Sequence, residues 1–331
     1  GRVVDTGRRD AGSVVFFGTP TPEVGPTWSL RATASLRAET AGTWLVSLVQ
    51  TGPSRVLLDG QVLLDGTGRR LPAGHELLGL GSMELTAEVE LDPDQPVELV
   101  LEVTNPAPAL VAGAKVGARP AAPPDGIERA VRAAAAADAT IVVVGTDADW
   151  ESEGADRTSM HLPGRQDELV ARVLEADPDA VVVLNCGSPV ALPWADRARA
   201  LLQVWFGGQE MADALVDVLL GDADPGGRLP TTFPERLEHN PSFGNFPAEN
   251  GRIVYGEGLL VGYRWYEARH LPVRFPFGHG LSYARFECGE PALSSATFAP
   301  GETLLVDVPV TNTGHRRGSE VVQVYVGSVA P

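Results

Sequence analysis

The sequence has 331 residues, 44% of them hydrophobic and 21% charged, so it is long enough for two or three domains with packed cores. The formal net charge of −17 argues against nucleic acid as a partner, because the summed field repels polyanions. No apolar run approaches the roughly 20 residues that cross a bilayer, so we expect no membrane partner.

The cysteines, the histidines and the first ten residues bear on metal binding, cofactors and location. Cys186 and Cys288 are far apart in the sequence, and the six histidines lack the short spacings of zinc sites, so neither a metal nor another cofactor is expected. Gly1 to Asp10 are polar, and we predict no signal peptide in them. Both a cytoplasmic and a secreted location stay open.

Residues 1 to 116 are predicted to form an all-β sandwich. Asp59-Gly60 is typical of a two-residue hairpin turn. Glycines and prolines separate the predicted strands, and alternating or apolar stretches place five of them at Trp44–Val49, Arg55–Asp59, Gln61–Asp65, Leu85–Leu91 and Val97–Val103.

Residues 117 to 280 change to helices alternating with short apolar runs. This order predicts βαβ units and a parallel sheet covered on both faces, so the fold class is α/β. The predicted helices and strands are, in turn, Ile127–Asp138, Ile141–Val144, Arg165–Ala176, Ala180–Leu184, Leu201–Trp205 and Glu210–Leu220, the last ending at Gly221. Residues 222 to 280 are rich in Pro, Gly and aromatic side chains and are predicted to be mostly loop.

The β pattern resumes at about residue 281. Alternation from Leu304 to Val310 and the apolar stretch Glu320–Val326 predict further strands. They are fewer than the roughly seven strands of an immunoglobulin-like sandwich. Residues 281 to 331 are therefore predicted to be an incomplete immunoglobulin-like β domain.

An acidic loop follows the predicted strand that ends near Gly145. Between residues 146 and 157 it holds five carboxylates, a Trp and an Arg. Ligands of open α/β sheets bind beyond the carboxyl ends of the strands, and a carboxylic acid beside an aromatic ring is suited to glycosidase chemistry. From spacing alone, a solvated acidic loop is the favoured interpretation.

Two other functions, a serine hydrolase and a nucleotide-binding protein, have weaker support in the sequence. Ser188 follows a strand, but the Gly-x-Ser-x-Gly pattern is broken and Pro189 comes next, which argues against a hydrolase nucleophile. No Gly-x-Gly-x-x-Gly pattern opens a helix after a strand, so a nucleotide-binding fold has no phosphate loop here.

Five motifs follow one another between residues 142 and 283. They are Val142–Gly145 with Trp150–Arg157, Asn185–Val190, Gln203–Glu210 with Pro225–Pro234, Tyr255–Gly258 with Val261–Arg264, and Phe275–Tyr283. In this order they resemble the C-terminal part of glycoside hydrolase family 3 β-glucosidases.

The flanks extend the resemblance. Residues 1 to 116 resemble the protective-antigen-like β domain inserted in one subgroup, and residues 281 to 331 are similar to the start of the family's fibronectin type III-like domain. Calcium-binding members carry paired aspartates where this chain has Thr51-Gly52, so no calcium is expected.

The resemblance implies that Glu153 is the general acid/base, with Glu151 as its competitor. In a retaining glycosidase this residue protonates the leaving oxygen and then deprotonates water. Glu151 or Asp156 would supply a negative charge that favours the protonated acid. Trp150 would form a wall on the aglycone side, and Arg157 joins these three as a candidate for substrate binding.

The family's nucleophile is an aspartate of a preceding (β/α)₈-like barrel, which this chain lacks. Ala148-Asp149-Trp150 is similar to the barrel's Ser-Asp-Trp signature but lies in a different loop. We therefore expect the chain to be a fragment or one piece of a larger or split enzyme, inactive alone, with that barrel as partner and a β-linked glycoside as substrate.

An alternative hypothesis is a non-catalytic carbohydrate-binding assembly, in which the β domain binds sugar and the acidic loop is inert. The sequence fixes neither the sugar nor the linkage, and an oligomer is compatible with it.

Overall fold

The computed structural model describes residues 2–8, 10–68, 71–74, 76–77, 79–147, 150–152 and 156–327. The chain divides into two compact units. The first comprises Gly1–Arg132 and Thr146–Thr158, and the second comprises Ala133–Gly145 and Ser159–Pro331. No described helix is both long and apolar enough to span a bilayer.

The described strands of the first unit are β1 (Ser13–Phe17), β2 (Trp28–Leu36), β3 (Gly42–Gln50), β4 (Ser54–Leu58), β5 (Gln61–Asp65), β6 (Leu85–Leu91), β7 (Val97–Asn105) and β8 (Val111–Pro120). They form two antiparallel four-stranded sheets, ordered β1-β8-β3-β6 and β2-β7-β4-β5. All five strands predicted for this region are present, whereas β1, β2 and β8 were missed.

Alternate side chains of both sheets form one core in the first unit. Val46 and Leu48 of β3 pack in the same cluster as Val56 of β4 and Leu101 of β7, and all four are at most 1% exposed. Alternation places every second side chain of a strand on the same face, which is why this pattern could be read from the sequence.

The predicted hairpin between β4 and β5 is confirmed. Asp59 and Gly60 have φ angles of 47° and 78°, the left-handed region that both central residues of a type I′ turn occupy. The Asp59 carboxylate also accepts a hydrogen bond from the backbone N–H of Glu98, at 2.7 Å. Local turn chemistry therefore fixes the register next to the turn, and a bulge shifts the register between Val56 and Leu57.

Strand β8 continues past residue 116, where the sequence placed a domain boundary, to Pro120. The next described α-helices and strands, up to residue 275, are α1 (Gly126–Ala136), β9 (Ile141–Gly145), α2 (Gln166–Ala176), β10 (Val181–Asn185), β11 (Ala200–Gln203), α3 (Met211–Leu220), β12 (Phe233–Pro234), α4 (Tyr263–Arg269) and β13 (Val273–Phe275), and short 3-10 helices lie at Ala195–Arg197 and Leu237–His239. The division into domains 1–116, 117–280 and 281–331 stays a prediction.

The second unit contains the predicted parallel sheet, with strand order β11-β10-β9. Helix α2 buries Val170, Val173 and Leu174. Helix α3 ends at Gly221, which adopts a left-handed conformation with φ 81°, as predicted for a residue that closes a helix. These elements confirm that the chain combines antiparallel and parallel sheets with a few helices.

Two details of the α/β prediction were wrong. Strand β11 stops at Gln203, because Trp205 has a positive φ of 54°. The sheet is not covered on both faces, since Ile141 and Val143 of β9 are 53% and 60% exposed. Residues 222 to 280 are mostly loop, as predicted, and within them lie the helix α4 and the short antiparallel strand pair β12 and β13, which the sequence did not indicate.

Helix α4 depends on tertiary contacts. Tyr266 is buried, which raises its pKa to about 12, and the Trp265 indole N–H donates to the His239 carbonyl at 3.0 Å. The Tyr263 ring stacks on Phe277 with ring centroids 5.2 Å apart. A seven-residue helix is too short to form by itself, which explains why its own sequence gave no clear period.

The last described residues contain only short β pairs. Strands β14 (Phe286–Cys288) and β17 (Val310–Asn312) pair antiparallel, as do β15 (Ala292–Leu293) and β16 (Val306–Asp307). The strand predicted at Glu320–Val326 is not formed. An apolar β pattern needs a partner strand for its backbone groups, and within the described residues none pairs with this stretch.

Asp224 ties two loops of the second unit together. Burial alone would raise its pKa, but hydrogen bonds from the Ser282 hydroxyl and from backbone N–H groups, including that of Tyr283 at 2.8 Å, outweigh burial and lower the pKa below its ordinary value. The carboxylate therefore stabilises the fold mainly in its ionised form.

We predict that Asp224→Asn lowers the stability of the second unit near neutral pH. Because the folded pKa lies below the ordinary value of 3.8, the contribution is complete above about pH 4 and is lost as the pH falls through the folded pKa. Urea unfolding midpoints measured from pH 6 to pH 2.5 should show a difference from wild type that shrinks at low pH. Asp222→Asn, at an exposed aspartate nearby, is the control, and a pH-independent difference for Asp224→Asn would contradict this account.

Candidate functional site

The acidic loop begins directly after β9, at the carboxyl end of the parallel sheet. The carbonyl of Asp147 accepts hydrogen bonds from the backbone N–H groups of Trp150, at 3.0 Å, and Glu151, at 2.8 Å. The buried Thr146 hydroxyl donates to the Glu151 carboxylate. The start of the loop is therefore a closed turn in which Glu151 is held by a neighbour five residues away.

The predicted site residues differ in exposure. Glu151, Trp150 and Arg157 are half-buried, and Asp156 is exposed. The buried indole N–H of Trp150 has no hydrogen-bond partner among the described residues. Glu153, the predicted acid/base, lies outside the described residues, so its predicted role stays untested.

Gln166, which sequence reasoning missed, holds the end of β9. Its side-chain Oε1 accepts the backbone N–H of Gly145 at 2.7 Å, and its Nε2 donates to the Gly145 carbonyl at 2.9 Å. Gln166 is the first residue of α2. The contact joins positions 21 residues apart, so the sequence signal was only a glutamine at the start of a predicted helix.

The neighbouring strand ends are tied in a similar way. At β11, the side-chain amide of Gln203 donates to the carbonyl of Cys186, which follows β10, at 2.9 Å. The buried Oδ1 of Asn185, the last residue of β10, has no hydrogen-bond partner in the part of the chain that the structure describes. Polar side-chain groups therefore collect at the carboxyl edge of the sheet, where ligands of α/β folds bind.

The described residues of this loop belong to neither a metal-binding cluster nor one of the two cavities found. Among the described residues, no three His, Cys, Asp or Glu side chains converge to hold a metal ion. A cavity of about 540 Å³ in the first unit is lined by residues 50–53, 66–68, 71–73 and 80–82. One of about 360 Å³ lies beside α4, and its lining includes Tyr263, Tyr266 and Tyr325. None of the described site predictions lines either cavity.

Comparison with known proteins places the chain in a family. The family described as "Glycosyl hydrolase family 3 C-terminal domain" matches residues 18–283. The chain belongs to this family. The resemblance inferred from the ordered motifs is thereby confirmed.

The similar proteins are considerably longer. The chain is 40% identical over 304 residues to "Probable beta-glucosidase I" of Aspergillus terreus, covering 87% of this chain and 36% of that protein. It is 36% identical over 328 residues to "Beta-glucosidase" of Rhizobium radiobacter, covering 96% of this chain and 40% of that protein. The chain thus spans about two fifths of the length of these relatives.

Solved structures give the same result. A β-glucosidase from Kluyveromyces marxianus in complex with glucose matches with a TM-score of 0.84 and 35% identity over 92% of this chain and 36% of that one. A family 3 β-glucosidase from Bifidobacterium adolescentis matches with a TM-score of 0.54 and 38% identity over 59% of this chain and 29% of that one.

We predict that Thr146→Val loosens the turn at the start of the loop. The substitution keeps the side-chain volume but removes the hydroxyl that donates a hydrogen bond to the Glu151 carboxylate. Loss of one such hydrogen bond costs about 1 kcal/mol, so amide exchange at Trp150 and Glu151 should accelerate about fivefold. Hydrogen exchange measured residue by residue tests this. Thr158→Val, at an exposed threonine, is the control, and unchanged protection in Thr146→Val would contradict the assigned contact.

Proposed function

We propose that this chain supplies the general acid/base, Glu153, to a retaining glycoside hydrolase that acts on β-glucosides. The nucleophile is an aspartate of a (β/α)₈-like barrel in the same protein, outside the 331 residues. The isolated chain is therefore inactive. The proposed domains are a protective-antigen-like insert at 1–116, the α/β domain at 117–280 and part of a fibronectin type III-like domain from 281.

The observation that carries the proposal is the loop after β9. It leaves the carboxyl end of a parallel strand, and its motif Trp150–Arg157 stands in order with the other family motifs. The relatives named as β-glucosidases extend far beyond the matched region, which leaves room for a barrel. The glucose in the Kluyveromyces marxianus structure supports a glucoside as the substrate.

The chemistry follows from two carboxyl groups on either side of the glycosidic bond. The barrel aspartate attacks the anomeric carbon while Glu153 gives its proton to the departing oxygen. Glu153 then takes a proton from water, which attacks the same carbon and releases the sugar from the aspartate. A retaining mechanism needs both groups, and this chain holds only one.

The described residues of the loop have supporting roles in this proposal. The Glu151 carboxylate, oriented by the Thr146 hydroxyl, keeps negative charge near Glu153 and so favours the protonated acid before bond cleavage. Asp156 adds to that charge from an exposed position. Trp150 offers an indole ring to the aglycone side, with an N–H that has no partner among the described residues, and Arg157 is a further substrate-binding residue.

We predict that Glu153→Ala in the full-length polypeptide lowers kcat/KM for an unactivated disaccharide by about 10²- to 10⁴-fold, the usual contribution of a general acid. An aryl glycoside with a good leaving group departs without protonation, so its cleavage should be much less affected. Steady-state kinetics with both substrates test this.

Glu151→Gln is the matched variant for the competing carboxylate, since it keeps shape and removes only the charge. A smaller loss on both substrates is expected for it. If the leaving-group-dependent loss appears in Glu151→Gln instead, the acid/base assignment moves to Glu151. If Glu153→Ala hydrolyses the disaccharide normally, the loop is inert, and the non-catalytic carbohydrate-binding assembly becomes the better account.

A further inference from the structure

We propose that Gln166 is a positioning residue for the general acid/base, acting through the backbone of Gly145. The inference rests on the proposed role of Glu153. Gln166 does not act on the substrate. It fixes the point from which the acid loop leaves the sheet.

The clamp is a pair of hydrogen bonds at an edge strand. Strand β9 lies at one end of the described parallel sheet, so one side of its backbone faces away from β10. The Gln166 amide meets both polar groups of Gly145 there, at 2.7 Å and 2.9 Å. A primary amide presents an N–H donor and a C=O acceptor side by side, as the N–H and C=O of a single strand residue do, so Gln166 takes the place of an adjacent strand residue.

Gly145 is also confined on its other side. It pairs with Asn185 of β10, and a Cβ atom built on Gly145 would lie 1.7 Å from the Asn185 carbonyl oxygen. The two backbones therefore approach too closely for any side chain at position 145. Held from both sides, Gly145 has little freedom to shift.

Gln166 belongs to a helix that is firmly packed. Gln166 opens α2, which is anchored by Val170, Val173 and Leu174, each no more than 4% exposed. Thr146 follows Gly145 directly, and its hydroxyl holds Glu151 in the closed turn. The end of β9 is thus held by a packed helix, and the next residue of the chain begins the loop whose sequence contains Glu153.

The chemistry of the contact explains why the residue is a glutamine. Glutamate has the same length and accepts the Gly145 N–H, but an ionised carboxylate has no proton to donate to the Gly145 carbonyl. Two acceptors then face each other, which is unfavourable. A protonated glutamic acid has a donor again and restores both bonds.

The experiment uses the full-length polypeptide and compares Gln166→Ala, Gln166→Glu and the structural control Val173→Ala, a cavity variant of the same helix. Misplacing a catalytic group by about 1 Å costs up to about 100-fold, so Gln166→Ala should lose about 10- to 100-fold in kcat for an unactivated disaccharide. KM should change little, because Gln166 does not touch the substrate. Cleavage of an activated aryl glycoside should fall less than about threefold, since it does not need the acid.

Gln166→Glu supplies a readout that a purely structural role would not move. The loss of kcat for the disaccharide in Gln166→Glu, relative to wild type, should be large at pH 7 and smaller at pH 5 and below. At low pH the carboxyl group takes up a proton and can donate it to the Gly145 carbonyl. Val173→Ala should reduce activity on the two substrates by the same factor, with no such pH dependence.

The outcomes separate this inference from the proposed function. Glu153→Ala is expected to lose more activity on the disaccharide than on the aryl glycoside. If it does so but Gln166→Ala loses activity on both substrates by the same factor, as Val173→Ala does, then Gln166 has only a structural role and the inference fails. If Glu153→Ala has no effect, the proposed function fails first. The inference is supported if Gln166→Ala loses more activity on the disaccharide than on the aryl glycoside and if Gln166→Glu regains activity at low pH.

Discussion

Two hydrogen bonds between a side-chain amide and the backbone of one glycine fix the end of β9. Gly145 is the last residue of the strand, and the acid loop begins with the next residue. Without Gln166, the outward N–H and C=O of this edge position would depend on water, and the loop would start from a mobile strand end. The close backbone of Asn185 on the other side makes the position specific for glycine.

Features governed by local chemistry were predictable from the sequence. The Asp59-Gly60 turn needs two residues that tolerate positive φ, and those residues stand next to each other in the chain. The parallel sheet followed from apolar runs alternating with helices, and the end of α3 followed from Gly221. In each case the determining residues are neighbours or recur with a fixed period.

Features that depend on contacts between residues far apart in the sequence were missed or wrongly predicted. Helix α4 forms because Tyr266 and Trp265 find contacts elsewhere in the second unit, which no local pattern records. The stretch Glu320–Val326 has a strand-like pattern but no partner strand among the described residues. For the site, the motif resemblance drew attention to the loop, but the Gln166 contact spans 21 residues and could only be found in three dimensions. The placement of Glu153 stays a prediction.

The division of the two carboxyl groups between this chain and a barrel is the central claim, and trapping the glycosyl-enzyme tests it most directly. The full-length polypeptide is treated with an activated 2-fluoro glucoside, whose covalent intermediate hydrolyses slowly, and the labelled peptide is identified by mass spectrometry. The account predicts one labelled aspartate outside the 331 residues, with labelling preserved in Glu153→Ala. A label on any carboxylate within these residues would contradict it.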